Sequence, residues 1–141
     1  MAHHQTRFRV PFADVDHAGI VYYPRLFHYF HLAYESWFHD ALKRPFAELF
    51  SAAGISTPVV RAEGSFSAPL RHGDEVAVET WIGALGQKSW TLCFRIHSRG
   101  TLCAEGSVVH AFVSLPEMKA IEIPAEWRET ARNWIDEAPA S

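Results

Sequence analysis

The spacing of hydrophobic residues divides the first part of the chain into a strand and two helices. Polar and apolar residues alternate over residues 7–12, which predicts a β-strand. Over residues 24–42 the apolar positions recur every three or four residues, which predicts one long helix with a wide buried face. Pro24 suits the first position of this helix, the sequence Lys43-Arg44-Pro45 predicts its end, and a short second helix is predicted within residues 45–54. The apolar face of the long helix consists of Leu26, Phe27, Phe30, Ala33, Tyr34, Trp37, Phe38 and Ala41.

After Gly54 the apolar residues recur at every second position, which is typical of a sheet. Four strands are predicted, at residues 57–68, 75–85, 89–97 and 102–115. The short polar segments RHGD, GALGQK and HSRGT separate them, which predicts an antiparallel meander. A last amphipathic helix is predicted from Pro124 onward, with the apolar residues Trp127, Ala131, Trp134 and Ile135. The order of elements predicts a single α+β domain over residues 1–141, with one buried helix packed on one curved antiparallel sheet.

Composition excludes several classes of function. The chain has 141 residues, of which 48% are hydrophobic and 21% charged, as is typical of a soluble globular protein. The formal net charge of -3 provides no basic surface for nucleic acid or an anionic membrane. The segment MAHHQTRFRV at the start lacks the apolar core of a signal peptide, and no apolar run is long enough to span a bilayer. Cys93 and Cys103 lie in predicted strands and are expected to be reduced core residues of a cytoplasmic protein.

Residues 14–24, with the sequence DVDHAGIVYYP, form the most distinctive motif of the chain. The motif resembles the D-x-D-x-x-G-[IV]-V-[YF]-x-P signature of the 4-hydroxybenzoyl-CoA thioesterase family of hotdog-fold proteins. The later segments SFSAPLRHGDEVAVET, QKSWTLCFRI, AEGSVVHAFV and KAIEIPAEW are similar to successive strands and the last helix of that family. The resemblance therefore extends over residues 7–134.

This resemblance implies a hotdog fold, in which a curved antiparallel sheet wraps around a long central helix. It also implies a homodimer whose two sheets join, commonly paired again into a homotetramer. The implied activity is hydrolysis of an acyl-CoA thioester at the dimer interface, where the start of the long helix meets the partner subunit. No metal and no cofactor are expected, because the CoA moiety belongs to the substrate.

The chemistry of thioester hydrolysis explains why the motif contains an aspartate ahead of a helix. The reaction requires a nucleophile or base near the carbonyl carbon and hydrogen-bond donors near the carbonyl oxygen. The first turn of a helix supplies unpaired N–H groups, which in this sequence belong to residues around Tyr23. Asp16 lies a few residues upstream, on a loop that Gly19 allows to turn tightly. The resemblance implies that Asp16 is the catalytic residue, as nucleophile or as the base that activates a water, that Gly19 is the glycine of the motif, and that the Tyr23 N–H polarises the carbonyl. For Asp14 we favour a structural role, in which its carboxylate caps backbone N–H groups.

The long helix also carries a weak metal-binding pattern. His28, His31 and Glu35 stand at positions i, i+3 and i+7, so one helix face could present them to a metal. Histidines on a mixed helix face are more often structural, and no metal site is predicted. His31 bears on substrate choice instead, because many members of the family carry an acidic residue there that can hold a ring hydroxyl. Histidine departs from that pattern, so we expect the best substrate to differ from 4-hydroxybenzoyl-CoA.

Further residues are predicted to contact the substrate. Lys88, Ser89 and Lys119 match positions that the resemblance associates with the nucleotide end of CoA, and solvated turn residues are the alternative interpretation. Thr57 matches a position near the acyl group. His17 directly follows the catalytic aspartate and could tune its carboxylate or face water.

These observations together predict an acyl-CoA thioesterase that acts on an aromatic or medium-sized acyl group. The preference for such a group follows from the aromatic helix residues Tyr22, Phe27, Phe30 and Tyr34. Two other classes remain open. A hotdog acyl-thioester hydratase or dehydratase would need an acid–base pair that includes His17 or His31, and a non-catalytic acyl-CoA-binding protein would keep its function without Asp16. The expected partners are an acyl-CoA and further copies of the same chain.

Overall fold

A five-stranded antiparallel sheet packs against one long helix, and three short strands form a second sheet. The computed structural model describes residues 3–136. The strands are β1 (His4–Arg9), β2 (Ile55–Ser56), β3 (Val59–Phe66), β4 (Glu75–Leu85), β5 (Ser89–Ser98), β6 (Thr101–Ala111), β7 (Val113–Ser114) and β8 (Lys119–Ala120). The helices are α1 (Tyr23–Leu42), α2 (Glu48–Ser51) and α3 (Ala125–Ala131). Single turns of 3-10 helix occupy Phe12–Asp14 and Arg132–Trp134.

Helix α1 lies at the centre of the core and confirms the helix predicted over residues 24–42. In β5 every second residue is buried, and Phe94 stacks on Phe30 of α1 with ring centroids 4.9 Å apart. Lys43 ends the helix in the left-handed conformation, with a φ of 57°. The buried residues of α1 are Leu26, Tyr29, Phe30, Ala33, Tyr34, Trp37 and Phe38. The predicted α+β architecture, with one helix on one antiparallel sheet, is therefore confirmed. No helix among residues 3–136 combines the length and the hydropathy that crossing a membrane requires.

The strand order of the large sheet is β1-β4-β5-β6-β3, which confirms only part of the predicted meander. The hairpins β4–β5 and β5–β6 are present, but β3 pairs with β6 and not with β4, whose other neighbour is β1. The reason lies in the segment between β3 and β4. Ser67 donates to the Cys103 carbonyl at one edge of the sheet, whereas the Leu70 carbonyl accepts from Val21, just before α1. The segment therefore crosses from one edge of the sheet to the other, and the predicted RHGD hairpin is wrong.

The first strand and the first strand after Gly54 have different bounds from those predicted. Strand β1 covers His4–Arg9 rather than residues 7–12. It cannot continue because Pro11 has no N–H to donate, and Phe12 begins a 3-10 turn. The strand predicted at residues 57–68 is divided into β3 and the separate short strand β2, which pairs with β7.

The last predicted strand and the last helix are also shorter than predicted. Strand β6 ends at Ala111, and the carbonyl of the next residue, Phe112, accepts the N–H of Ile121, which follows β8, at 2.9 Å. The chain then continues as β7, which belongs to the small sheet. Helix α3 ends at Ala131, and Trp134 lies in the 3-10 turn that follows it.

Both cysteines are free thiols, as the sequence predicts. Cys103 is buried in the core, whereas Cys93 is only half-buried. Burial raises the pKa of both thiols. Their reactive thiolate forms are therefore disfavoured at neutral pH.

Candidate active site

The loop before α1, residues 10–22, makes a tight turn that fixes the position of Asp16. The Asp16 carbonyl accepts the Gly19 N–H at 2.9 Å, and the Asp16 N–H donates to the Ile20 carbonyl at 2.9 Å. One carboxylate oxygen, Oδ1, accepts the Ala18 N–H at 2.8 Å. Gly19 has a φ of 81°, in the left-handed region that favours glycine. The turn thus orients the carboxylate, and its second oxygen remains exposed with the rest of the side chain.

Asp14, two residues earlier, has the opposite environment. Its side chain is buried, its Oδ2 accepts the Tyr29 hydroxyl at 2.7 Å, and its Oδ1 lies 3.5 Å from Nε of Arg25. Burial and the hydrogen bond to Asp14 raise the pKa of Tyr29, so this phenol stays protonated and donates. The structural role predicted for Asp14 fits this environment, but the predicted capping contact is wrong. Its carboxylate binds side chains of α1, and it is its backbone carbonyl that accepts the Tyr22 N–H at 2.9 Å.

Tyr23 is the first residue of α1, where helix geometry leaves backbone N–H groups without an intrahelical acceptor. The Tyr22 N–H is already bound to the Asp14 carbonyl, and Pro24 has no N–H. The Tyr23 N–H is consequently the first donor that the helix start can offer to a ligand. The Tyr23 ring is exposed, and its centroid lies 6.3 Å from that of the Phe66 ring at the end of β3.

Asp16 lines an open cleft of about 310 Å³ at the start of α1. Asp16 and His17 are both exposed there. The cation of the cleft is Arg25, which also approaches Asp14. The lining residues are Ala13, Asp14, Val15, Asp16, His17, Tyr22 and Arg25. A predicted catalytic carboxylate and the start of a helix therefore share one open cleft.

An apolar cavity of about 210 Å³ lies between α1 and the sheet. Its lining residues are Phe27, Phe30, His31, Tyr34, Val59, Ala62, Phe94, Val108 and His110. Nε2 of His31 is 3.0 Å from a carboxylate oxygen of Glu35, so these two residues of the weak metal pattern pair with each other. Across residues 3–136, no three or more His, Cys, Asp and Glu side chains come close enough together to hold a metal ion.

A buried polar network behind this cavity contains one residue that sequence reasoning missed, His110. Its Nδ1 donates to the Thr57 carbonyl at 2.9 Å, and its ring stacks on Tyr34 with centroids 4.0 Å apart. The Tyr34 hydroxyl lies 3.1 Å from Oγ1 of Thr57 and accepts from Nε1 of Trp90 at 3.2 Å. Burial lowers the pKa of His110 to about 4, so the ring is neutral at pH 7. The alternation along β6 could have indicated this position, because His110 lies two residues after Val108 and therefore faces the core on the same side of the strand.

The residues predicted for the nucleotide end of CoA lie far from Asp16 within one chain. Lys88 and Ser89 are at the β4–β5 turn, and Lys119 is in β8. The other end of β4 adjoins the loop before α1, through the bridge between Ile20 and Arg71. Strand β4 has 11 residues, so it spans about 33 Å between these two ends. One chain therefore does not bring the predicted CoA cations and the predicted catalytic carboxylate together.

The acyl-site prediction is divided in the same way. Arg25 lines the cleft, and Phe27, two positions later in α1, lines the cavity. Residues two positions apart are about 200° apart around a helix axis, so the cleft and the cavity lie on opposite sides of α1. His31 lines the cavity, and Thr57 supports its wall through Tyr34 and His110. Neither residue belongs to the cleft that contains Asp16 and His17.

A long helix held against an antiparallel sheet of this order is the hotdog fold, and comparison with known proteins places the chain within that class. The Thioesterase-like superfamily matches residues 10–135, and the chain belongs to this family. It is 31% identical over 134 residues to a 1,4-dihydroxy-2-naphthoyl-CoA hydrolase of Thermosynechococcus vestitus, a match that covers 92% of this chain and 86% of the relative. It is 28% identical to a 4-hydroxybenzoyl-CoA thioesterase of a Pseudomonas species, over 86% of this chain and 92% of the relative. The solved structure of a gentisyl-coenzyme A thioesterase superposes with a TM-score of 0.82 at 31% identity, covering 89% of this chain and 99% of that one.

Proposed function

We propose that the protein hydrolyses aromatic acyl-CoA thioesters to the free acid and CoA. The observation that carries this proposal is an exposed carboxylate, Asp16, fixed by a turn just before a helix start whose first available donor is the Tyr23 N–H. Membership of the Thioesterase-like superfamily and the names of the relatives, all CoA thioester hydrolases, support it. The aromatic walls of the apolar cavity favour an aromatic acyl group over a long flexible one.

The mechanism uses the helix start as the site of the carbonyl oxygen. A thioester oxygen that accepts the Tyr23 N–H is polarised and stabilised as negative charge develops on it. In the first route, an oxygen of Asp16 attacks the carbonyl carbon and expels CoA thiolate, and water then hydrolyses the acyl–aspartyl anhydride. In the second route, Asp16 takes a proton from a water that attacks the carbon directly, and it returns that proton to the CoA thiolate as the C–S bond breaks. Both routes end with the acid, CoA and a regenerated carboxylate, and neither uses a metal or a cofactor.

We propose that a second copy of the chain completes the active site. The cleft with Asp16 and the apolar cavity lie on opposite sides of α1, so one chain does not present both to the same thioester. Strand β3 is exposed at the edge of the sheet, where Val59, Val60 and Phe66 remain uncovered. Pairing of two β3 edges joins the two sheets and brings the loop before α1 of one copy toward its partner. Lys88, Ser89 and Lys119 then bind the nucleotide end of CoA from the partner subunit, and two such dimers form the predicted homotetramer.

The test of the reaction is the substitution Asp16→Asn, assayed by release of free thiol from a panel of acyl-CoAs. The amide keeps the size of the side chain, but it can neither attack a thioester nor accept a proton from water. We expect kcat to fall by a factor on the order of 10² to 10⁴ with little change in KM. The panel includes 4-hydroxybenzoyl-CoA, which we expect another aryl-CoA to surpass.

The matched control is Glu75→Gln, which also removes one exposed carboxylate near the start of β4. We expect this variant to keep wild-type kcat, since the carboxylate of Glu75 contacts only the surface residue Arg9 among the side chains of residues 3–136. Full activity of Asp16→Asn would contradict the mechanism.

The hydratase alternative has one observation in its favour, the pairing of His31 with Glu35 beside the cavity. An imidazole–carboxylate pair could act as acid and base on an unsaturated acyl thioester. Incubation with an enoyl-CoA separates the two reactions, because hydration removes the conjugated double bond and leaves the thioester intact. Binding of acyl-CoA without either reaction would indicate a non-catalytic binding protein.

A further inference from the structure

We infer that His110 binds a hydroxyl group on the aromatic ring of the acyl moiety, accepting its hydrogen bond at Nε2. This inference deepens the proposed function, on which it rests, because it names a residue that determines which acyl groups the site accepts. His110 then selects aryl-CoA thioesters with a ring hydroxyl over those without one.

The two ring nitrogens of His110 have different surroundings. Nδ1 donates to the Thr57 carbonyl, which accepts only, so the proton of the neutral ring resides on Nδ1. Nε2 therefore carries a lone pair and acts as an acceptor. No hydrogen bond to Nε2 is formed within residues 3–136, although His110 is only 3% exposed. The ring lines the apolar cavity, so a ligand there is what can supply the missing donor.

The other polar side chains that line the cavity already have partners. The Tyr34 hydroxyl accepts from Trp90 and is paired with Oγ1 of Thr57. His31 is paired with Glu35 and is partly exposed to solvent. His110 is thus the buried lining residue whose hydrogen-bonding capacity is incomplete within the part of the chain that the structure describes.

The size and walls of the cavity define the rest of the ligand. A volume of about 210 Å³ is below the roughly 300–1,000 Å³ of pockets that enclose a drug-sized molecule, so the cavity suits one ring or two fused rings. Aromatic side chains from both α1 and β5, including Phe27, Phe30 and Phe94, form its sides. Such walls favour a flat aromatic group. An acyl group without a hydroxyl would leave Nε2 buried and unpaired, which disfavours its binding.

The position of His110 is held independently of the ligand. Its ring is fixed by the bond to Thr57 and by stacking on Tyr34, which is itself fixed by Trp90. The acceptor is therefore oriented before a substrate binds, and little conformational entropy is lost on binding.

The experiment measures equilibrium binding of CoA thioethers that keep the ketone and the aromatic ring but cannot be hydrolysed. The ligands are S-phenacyl-CoA derivatives with a ring hydroxyl at the ortho, meta or para position, each compared with its fluoro counterpart, and the matching hydroxynaphthyl and fluoronaphthyl pair. Fluorine is similar in size to a hydroxyl but cannot donate. In the wild-type protein we expect the best-fitting hydroxyl ligand to bind about tenfold more tightly than its fluoro counterpart.

The protein variants separate the role of Nε2 from that of the ring. In His110→Asn the amide nitrogen can still donate to the Thr57 carbonyl, but no acceptor remains at the position of Nε2. We expect the hydroxyl-to-fluoro preference to fall to near one in this variant. His110→Gln places its amide near the former Nε2 and is expected to keep part of the preference. His39→Asn, the same change at an exposed histidine near the end of α1, should leave the preference unchanged.

Two results overturn the inference. The first is equal binding of every hydroxyl and fluoro pair by the wild-type protein, which requires no variant to fold. The second is an unchanged preference in a His110→Asn protein with a native circular dichroism spectrum. Thiol release from aryl-CoAs without a hydroxyl preference would overturn the role of His110 alone. Absence of both hydrolysis and binding would overturn the proposed function and, with it, this inference.

Discussion

Two aspartates separated by a single residue serve different purposes because their surroundings differ. Asp14 is buried and contacts the Tyr29 hydroxyl and the Arg25 guanidinium, which stabilise its carboxylate inside the protein. One carboxylate oxygen of Asp16 accepts the Ala18 N–H, and the other remains accessible. The first carboxylate holds the loop before α1 against the helix, and the second is the group that we propose for catalysis. Stability and activity should therefore respond to different substitutions.

The substitution Tyr29→Phe tests the structural role of Asp14. The substitution removes the hydroxyl that donates to the buried Asp14 carboxylate, and hydrogen bonds to charged groups contribute about 1.5–3 kcal/mol to stability. We expect the free energy of unfolding, measured in urea, to fall by about that amount. Tyr22→Phe, which removes an exposed hydroxyl, is the control and should leave the unfolding midpoint unchanged. Equal midpoints for wild type and Tyr29→Phe would show that the bond to Asp14 does not support the loop.

A second prediction at the scale of residues concerns His110 and the pH dependence of stability. Burial lowers its pKa from 6.5 to about 4, so the unfolded state binds more protons than the folded state between those values. Its contribution to stability is present above pH 6.5 and is lost as pH falls toward 4. The shift corresponds to a change on the order of 3 kcal/mol. Urea unfolding at several pH values should therefore show the gap between wild type and His110→Asn narrowing as pH falls. A gap that is constant from pH 7 to pH 4 would contradict the pKa assignment.

At the scale of elements, helix α1 approaches the sheet closely because β6 has a glycine where the helix crosses it. A Cβ at Gly106 would overlap the Glu63 carbonyl in β3 and the ring of Phe30 in α1. We expect Gly106→Ala to destabilise the protein by about 1–3 kcal/mol, because neither the strand pairing nor the ring can move freely in a packed core. Thermal or urea unfolding measures the effect. Ser107→Ala, at the next position and on the other face of β6, should cost much less, and equal costs would show that Gly106 has no special role.

The elements that sequence predicted correctly are those whose pattern is local. Helix α1 has a continuous apolar face, and the hairpins of β4, β5 and β6 have short polar turns between alternating strands. The neighbour of β3 depends instead on the course of the segment after β3, which crosses the sheet to a hydrogen bond between Val21 and Leu70 that no local pattern contains. The same reasoning applies to the site. Asp16, Gly19 and Tyr23 belong to one contiguous motif, whereas the contact between His110 and Thr57 joins residues 53 positions apart.

At the scale of the whole molecule, two features have no role within a single chain. Its apolar cavity and its cleft with Asp16 lie on opposite sides of α1. Its β3 edge exposes backbone hydrogen-bonding groups together with Val59, Val60 and Phe66. An exposed apolar edge strand is a template for pairing with another chain, and two-fold pairing uses the same edge from each copy. One association of two copies would therefore cover the edge and also bring a cleft from one chain to the cavity of the other.

This assembly is tested by light scattering at micromolar concentration, where we expect a dimer or a tetramer. Val60→Lys places a charge on the exposed β3 edge, a change that opposes edge-to-edge pairing while leaving the core of each chain intact. We expect it to shift the protein toward monomers and to lower thiol release in proportion to the loss of dimer. Met118→Lys adds the same charge at an exposed apolar residue outside β3 and should leave the assembly unchanged. A wild-type monomer that hydrolyses aryl-CoA at its full rate would show that each chain contains a complete active site, and the proposed shared site would have to be abandoned.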